Sequence, residues 1–440
     1  MAYTVANIAL LLWVPVCVVL FAVARPARAC TAAYVVGWLF LPMTSIPVEG
    51  FCDIDKSVAT NAGVLLGVLL FCGSPLAGFR RNWADVIILA FAATTMVTSV
   101  VNDLGVYDGL SELSRKILYY AVPFFAGRCL LRTREDLWEA CRAVVCAAAL
   151  YGLLALWEWR MSPSLHVNLY GVFQHDWRQH SRGGAWRPIL FLPHGLAVGS
   201  FFAWTAILAI GLWRTGHLRS LAGIPAGWIV PLPLLGLLVS MSMGPWALFL
   251  AGCGLLVWWR KTGWRKAVLL PAVFAALWIG GRYTSIMDGQ WLAAAAANVS
   301  EDRADSLQYR IDAETLLINR AKEQPIFGWG TWGRNRARDE EGNDLTATDG
   351  LWIIYAGAYG LVGLFTFYLW WCWPLWMSQR CSRAMEADAA LMVLLIAIGQ
   401  EAVNMLFNGF LSPILTFLSG GVVTSLALLR HRHGMLVNAR

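Results

Sequence analysis

Charge is scarce in this sequence. Asp, Glu, Lys and Arg make up 14% of the 440 residues, where a soluble domain carries about 25%. A water-soluble fold of ordinary composition is therefore excluded. Cys-x-x-Cys spacing and His/Cys clusters are also missing, so the ten cysteines frame neither a zinc site nor a disulfide scaffold. Cys17, Cys72, Cys141, Cys146, Cys253 and Cys372 lie in or beside apolar runs, as small buried hydrophobes do. The first apolar run has no basic residue before it and no small-residue cleavage site. It reads as a retained helix rather than a signal peptide. There is no solenoid repeat and no low-complexity linker. The net charge of +7 does not point to nucleic acid, because the basic residues are scattered through short loops between apolar runs.

What the chain has is hydrophobicity, 58% of its residues, and 24 tryptophans. Trp enrichment fits aromatic belts at two membrane interfaces. A helix needs about 20 apolar residues to cross the hydrocarbon. Windows that reach or approach this are 5–24, 30–47, 58–76, 83–101, 117–131, 138–158, 190–213, 226–241, 245–259, 266–281, 350–376, 389–408 and 410–429. The expectation is an all-α polytopic integral membrane protein of about 12–13 spans, with a long outer loop containing short helices. Its parts are 1–281, N-terminal helices with an outer loop at 159–189; 282–349, a large periplasmic loop; and 350–440, C-terminal helices and a cytoplasmic tail.

Basic residues orient the spans. Arg25, Arg28, Arg80, Arg81, Arg128, Arg132, Arg134, Arg214, Arg219, Arg260, Lys261, Arg265, Lys266, Arg380 and Arg383 fall in or beside loops on one side, and the tail adds Arg430, Arg432 and Arg440. The short loops opposite hold only Lys56, Arg115 and Lys116. The positive-inside rule then puts the N-terminus outside and the C-terminus in the cytoplasm. Two outer loops are nevertheless cation-rich. Residues 159–189 hold Arg160, Arg178, Arg182 and Arg187. Residues 282–349 hold Arg282, Arg303, Arg310, Arg320, Lys322, Arg334, Arg336 and Arg338. Long loops escape the rule, so these are either solvated segments or a surface for an anionic ligand.

The second loop reads as folded. Residues 293–297 are an alanine run suggesting a short helix. Residues 305–324 carry a rough apolar stripe of Leu307, Ile311, Leu317, Ile318 and Ala321, with Asp305 or Ser306 as cap and Pro325 as terminator. The turn QPIFGWGTWG, residues 324–333, follows, and then TDGLWIIYAGAYGLVG, residues 348–363.

A long outer loop with an Arg-bearing helix, a Pro-x-x-Gly-x-Gly turn and re-entry through Gly-x-x-Gly resembles the O-antigen ligase and O-antigen polymerase family of bacterial envelopes. The family pattern at re-entry is His, a small residue, nine residues, then Gly-x-x-Gly. Here the spacing from Asp349 and Gly350 to Gly360 and Gly363 matches, with Asp349 in place of His. Ser242, Met243 and Gly244 occupy a turn where the family has Ser-Arg-Gly, and Arg187 through His194 and Gly195 give a weaker match. The resemblance implies a bacterial inner-membrane glycosyltransferase. It would move a glycan from a polyprenyl diphosphate carrier to a hydroxyl of a lipid-core sugar or another glycan, at the outer face, with membrane lipids as surroundings. By the same resemblance, Arg rather than a metal or other cofactor holds the diphosphate.

Asp349 is thus the candidate base or acceptor-orienting residue; the alternative is that it caps the following helix. Arg310, Arg187 and Arg320 are candidate diphosphate contacts, since the guanidinium fork suits phosphate oxygens. Arg310 also admits a bland role, paired with Asp312 or Glu314. His194 begins a membrane helix, Glu401 is a charge inside an apolar run, and Trp329 stacks on a sugar or anchors at the interface; these are further candidates. His166, His175 and His180 read as surface histidines. Asp53 and Asp55 form an Asp-x-Asp that would suit a divalent ion, a weaker alternative to metal-free catalysis. A transporter or flippase for lipid-linked oligosaccharide is the competing function, but it predicts charges or broken helices in several spans, in repeated halves. Here intramembrane polarity gathers in one late helix.

Overall fold

The computed structural model describes residues 2–438 apart from 50–51, 75–76, 78, 175–179, 183, 222, 299–300, 347–348 and 382–388. His175, Arg178, Arg383 and Arg440 lie outside the described residues. The chain is helical almost throughout. In order, the helices are α1 Ala2–Val23, α2 Pro26–Phe40, α3 Lys56–Phe71, α4 Trp83–Val101, α5 Val106–Lys116, α6 Val122–Leu130, α7 Arg134–Met161, α8 Leu165–Tyr170, α9 Gly195–Arg214, α10 Ala226–Ile229, α11 Pro231–Val239, α12 Met243–Thr262, α13 Leu270–Tyr283, α14 Gln290–Ala297, α15 Glu301–Glu323, α16 Leu351–Arg380, α17 Ala389–Phe407 and α18 Pro413–Asn438. Two short antiparallel hairpins join Ser181–Arg182 to Ala185–Trp186 and Ser220–Leu221 to Ile224–Pro225.

Every apolar window of the sequence carries helix. Among the described residues, seven helices are long and apolar enough to cross a membrane. Of the remaining windows, 245–259 lies in the unbroken 20-residue α12, and the others are shorter or broken. Residues 117–121 form a π turn between α5 and α6, and Asn61 Nδ2 donates to the Leu118 carbonyl at 2.7 Å. A wide turn of this kind frees carbonyls that a neighbouring side chain must satisfy. In 226–241 the break falls at Pro231, between α10 and α11.

Burial separates centre from rim. The apolar stretches of α9 and α17 are 89% buried, against 28% for α1. Thus α9 and α17 form the core, packed together with α12 beside both, and α1 faces outward. Gly127 and Gly420 permit the tightest crossing, α6 on α18: a Cβ on either would collide with the opposing backbone carbonyl, of Phe417 or Phe124.

The two ends of the bundle are distinct. At one, Trp373 Nε1 near the end of α16 donates to Asn82 Oδ1, the N-cap of α4, at 2.8 Å. At the other, Thr98 Oγ1 and Asn102 Nδ2, at the far end of α4, donate to the Phe327 and Gly328 carbonyls at 2.7 and 2.8 Å. The long loop therefore seats on the end where α16 begins.

Candidate functional site

The loop helix α15 starts at Glu301, four residues before the expected cap, and ends before Pro325. Arg310 and Glu314 are spaced i,i+4 and so share a helix face. That face meets the start of α16. Arg310 Nε lies 3.1 Å from Asp349 Oδ2, both side chains part exposed at 35% and 41%. One turn on, Glu314 Oε2 accepts from Trp352 Nε1 at 3.1 Å and Oε1 from Arg282 Nε at 2.7 Å. Arg282 is 4% exposed. It also donates to the Ile311 carbonyl and Thr315 Oγ1 at 3.1 and 3.0 Å, which ties the end of α13 to α15. Burial pushes the Glu314 carboxyl above its usual range, against the pull of Arg282 and Trp352. The result is a dry ion pair beneath and a solvent-reachable one above.

Asp349 is not the cap of α16. Gly350 holds that position, with no side-chain cap bond. The Asp349 carboxylate therefore stands outside the helix and faces Arg310. Among the described residues no other carboxylate pairs with Arg310, and the alternative partners Asp312 and Glu314 are engaged elsewhere, by Gln308 and by Arg282.

The glycine turn is built into a break in α16. Gly360 has φ 63° and ψ −168° inside the helix, a combination essentially confined to glycine. Two strand-like exchanges fill the gap. Leu361 N and Val362 N donate to the Pro325 and Ile326 carbonyls at 2.8 and 3.2 Å, and Trp329 N and Gly330 N donate to the Gly357 and Ala358 carbonyls at 2.8 and 2.9 Å. The turn replaces the intrahelical bonds lost at the kink, which fixes the loop to the helix bearing Asp349.

Residues 228–368 match the family described as O-antigen ligase. No curated protein matches the chain. Over those residues, about a third of the chain, the protein is similar to the O-antigen ligase family. The matched segment contains the loop, the Arg310–Asp349 pair, the buried Arg282–Glu314 pair and the kinked stretch of α16, and it begins just before the Ser242 turn.

The remaining candidates have other surroundings. Arg187, 1% exposed, donates from Nη2 to Ser242 Oγ at 2.6 Å. Its side chain lies so close to Gly195 that a Cβ there would stand 2.5 Å from Nε. It thus brings a guanidinium to the turn of the O-antigen ligase segment that lacks its Arg. Arg320 stacks on Trp329, 3.5 Å from the ring centroid, and pairs with Glu323; Trp329 Nε1 in turn donates to the Arg320 carbonyl at 2.9 Å. Both side chains clip the turn to α15. His194 caps α9, accepting from Leu196 N at 3.0 Å, and stacks on Phe410. Glu401 accepts from Asn404 Nδ2 at 3.3 Å, and Asn404 Oδ1 in turn accepts from Ser200 Oγ and Asn408 Nδ2 at 3.1 and 2.7 Å, so Glu401 is part of a side-chain network in the core. Asp55 caps α3 through Ser57 N and Val58 N, 2.9 Å each, and accepts from Tyr119. Asp53 lies within 3.5 Å of Ser45 Oγ.

His166 and His180 are buried, at 1% and 0%, which corrects the expectation of surface histidines. His166 Nε2 accepts from Met43 N at 2.9 Å while Nδ1 donates to the Val172 carbonyl at 2.6 Å, and burial lowers its proton affinity, so the ring is a neutral strut. Arg334 and Arg336 remain part exposed, at 37% and 44%, in keeping with a solvated loop, but each has a partner. Arg334 pairs with Asp108 at 3.2 Å and Arg336 with Asp344, so the loop is fastened to α5 and to itself. Glu158 was not a candidate from sequence. Its buried carboxylate accepts from Leu165, Ile189 and Leu190 amides at 3.1, 3.0 and 2.9 Å, closing the 159–189 loop at both ends.

Proposed function

We propose that this protein transfers a glycan from a polyprenyl diphosphate to an acceptor hydroxyl at the outer face of the bacterial inner membrane. The observation that carries the reading is the Arg310–Asp349 pair: a half-exposed cation and carboxylate, 3.1 Å apart, held where the loop re-enters the membrane within the O-antigen ligase segment. The positive-inside count supports the orientation, with this end outward.

The acceptor oxygen attacks the anomeric carbon as its proton passes to the Asp349 carboxylate. The bond from that carbon to the diphosphate oxygen breaks, and the electron pair leaves with the polyprenyl diphosphate. Arg310 offers its remaining guanidinium donors to the charge that develops there. Fixed cations aimed at a leaving group lower the barrier because they need no reorganisation. The Arg282–Glu314 pair and the Gly turn do not touch substrate in this scheme. They hold α15 and α16 in register, so that the two reacting side chains stay within a few tenths of an ångström of one geometry. Arg187 supports the donor from the neighbouring Ser242 turn.

A flippase would need charge or broken helices near the midplane of several spans; the break at Gly360 is filled by the loop rather than open to a pathway. The deciding experiment is deletion of the gene, followed by analysis of surface polysaccharide and lipid-linked intermediates. Full-length polymer left on its lipid carrier identifies ligation as the missing step, and single lipid-linked repeats identify polymerisation. Unchanged surface polysaccharide and lipid-linked pools would overturn the transferase reading.

A further inference from the structure

Helices α5 and α6 join through the π turn without a break, so the chain is helical from Val106 to Leu130. At 1.5 Å per residue that is roughly 37 Å, enough to cross a hydrocarbon core. The apolar window 117–131 covers only the part beyond α5, because α5 itself mixes apolar and charged residues. Its two faces reverse the arrangement of a helix in water, which turns its apolar side to the core. Gly109, Glu112 and Lys116 are buried. Glu112 Oε2 accepts from Tyr359 Oη at 3.0 Å, and Lys116 Nζ lies 4.8 Å from the ring centroids of both Tyr355 and Tyr359. Val106, Tyr107 and Leu110 are instead more than half exposed.

The glycine turn continues that outward surface. Thr98 and Asn102 fasten it to the end of α4, and Arg334, just beyond it, pairs with Asp108 of α5 at 3.2 Å. Ile326 and Trp332 in the turn are also more than half exposed. Trp332 has φ 61°, in the left-handed region that a bulky residue adopts only under strain; a turn facing water is served there by glycine or asparagine. Next to the turn, Val362 N donates to the Ile326 carbonyl at 3.2 Å, and α16 exposes Leu361 and Phe365. The end of α4 exposes Val100 and Val101. Both α4 and α16 are long and apolar enough to cross a membrane. The exposed side chains of α5 and of the turn therefore extend the lipid-facing sides of two spans, at the end where the loop seats. Soluble monomers rarely show so extended an apolar patch.

We infer that this surface is seated in lipid. The outward face of α5 and the tip of the glycine turn enter the leaflet on the loop side, with Val106, Tyr107, Leu110, Ile326 and Trp332 against acyl chains and head groups. The partner is a phospholipid leaflet rather than a protein, because the patch is continuous with the lipid-facing sides of α4 and α16. Trp332 suits that boundary, since an indole is apolar with one polar N–H. Glu112 and Lys116 then lie at membrane depth and face the bundle interior, as ionisable groups within a membrane do. The turn is a wedge in the membrane surface, not a stretch of water-exposed loop.

The test uses the full-length chain lacking its ten native cysteines, in nanodiscs of phosphatidylglycerol and phosphatidylcholine, which leave both faces open to solvent. Single cysteines Leu110→Cys, Ile326→Cys and Trp332→Cys carry a bimane fluorophore, and Glu340→Cys in the same loop is the reference. Iodide should quench the three test sites about tenfold less than the reference, and lipid with a nitroxide near the head of its acyl chain should quench them strongly. A nitroxide at the chain end should quench less, because an interfacial face enters only roughly 5–10 Å. Iodide quenching equal to that at Glu340→Cys, with no effect of nitroxide lipid, would put the turn in water and overturn the wedge. Protection from both quenchers would mean that protein covers the face, and would overturn it as well. In the unaltered chain, a lipid with a diazirine near the head of its acyl chain should label peptides covering 106–110 and 326–332. Labelling confined to the seven long helices would count against the inference even if a cysteine variant failed to fold. Neither readout needs turnover, so the transferase reading stands or falls separately.

Discussion

Gly328 and Gly360 pack back to back. A Cβ built on Gly328 would stand 2.5 Å from the Gly360 amide nitrogen, and one on Gly360 would overlap the Ile326 carbonyl group. Both have positive φ, 68° and 63°. Neither position can carry a side chain without parting the loop from α16. Gly360→Ala is expected to cost about 3 kcal/mol or more, combining the backbone strain with the collision. Limited proteolysis reports it directly, through faster cleavage within residues 324–346 than in the wild type. A Gly360→Ala chain as resistant as the wild type would mean that the kink does not hold the loop.

The buried pair beneath the site should tolerate removal poorly. Arg282 makes its contacts in a dry setting, and losing Glu314 leaves that cation uncompensated. Glu314→Ala is expected to destabilise the loop by about 3–5 kcal/mol, seen as a lowered thermal midpoint and reduced yield of folded protein. Glu314→Gln keeps an acceptor for Arg282 and Trp352 and should lose less. If the two variants unfold at the wild-type temperature, the pair is not what joins α13, α15 and α16.

The sequence made the spans, the loop helix and, separately, Arg310 and Asp349 legible, because each follows a local rule: apolar length, an apolar stripe, or a motif spacing; that these two side chains pair with each other was not legible. Arg310 was found by its place on the loop helix, and Asp349 by its distance from Gly360. What stayed hidden is tertiary. Arg282 lies at the end of a membrane helix and its partner Glu314 is 32 residues on; the i,i+4 relation of Glu314 to Arg310 was the available signal, but it names a face and not what the face meets. Likewise, the role of Gly360 needs the carbonyls of Pro325 and Ile326, which no single segment displays. His166 looked exposed because its loop is polar, yet Met43, far away in the chain, buries it.

Arg320 separates a fastening role from donor binding. Its guanidinium lies on the Trp329 ring, a contact worth about 0.5–1 kcal/mol at a part-exposed site. Arg320→Ala should lower the thermal midpoint slightly and leave the KM for the lipid-linked donor within about threefold, a change smaller than 1 kcal/mol. A tenfold rise in KM with unchanged stability would instead put Arg320 on the diphosphate.

The orientation can be read with single cysteines in a background lacking the ten native ones. Glu340→Cys, in the loop, should react with an impermeant thiol reagent in intact spheroplasts. Thr262→Cys, at the end of α12 beside Arg260 and Lys261, should react only after permeabilisation. Labelling in the reverse order would invert the scheme and move the proposed transfer to the cytoplasmic face.

In the proposed transfer Asp349 and Arg310 carry the chemistry, and the absence of a capping role for Asp349 makes the proposal easier to test. Since Gly350 is the N-cap of α16, replacing Asp349 removes no helix bond. Asp349→Asn keeps size and polarity but cannot accept a proton, so kcat should fall about 100-fold or more while the thermal midpoint changes little. Arg310→Lys keeps the charge and loses the planar fork; its loss should be larger in kcat/KM for the donor than in stability. Asp349→His installs the residue of the family pattern at the same spacing. It should retain activity, with the acid limb of the pH profile moved upward, because an imidazole titrates about two units above a carboxylate in general and a base works only when deprotonated. A shifted acid limb cannot come from a merely structural residue. If Asp349→Asn sustains wild-type turnover, the carboxylate only orients Arg310, and the proton of the acceptor goes elsewhere.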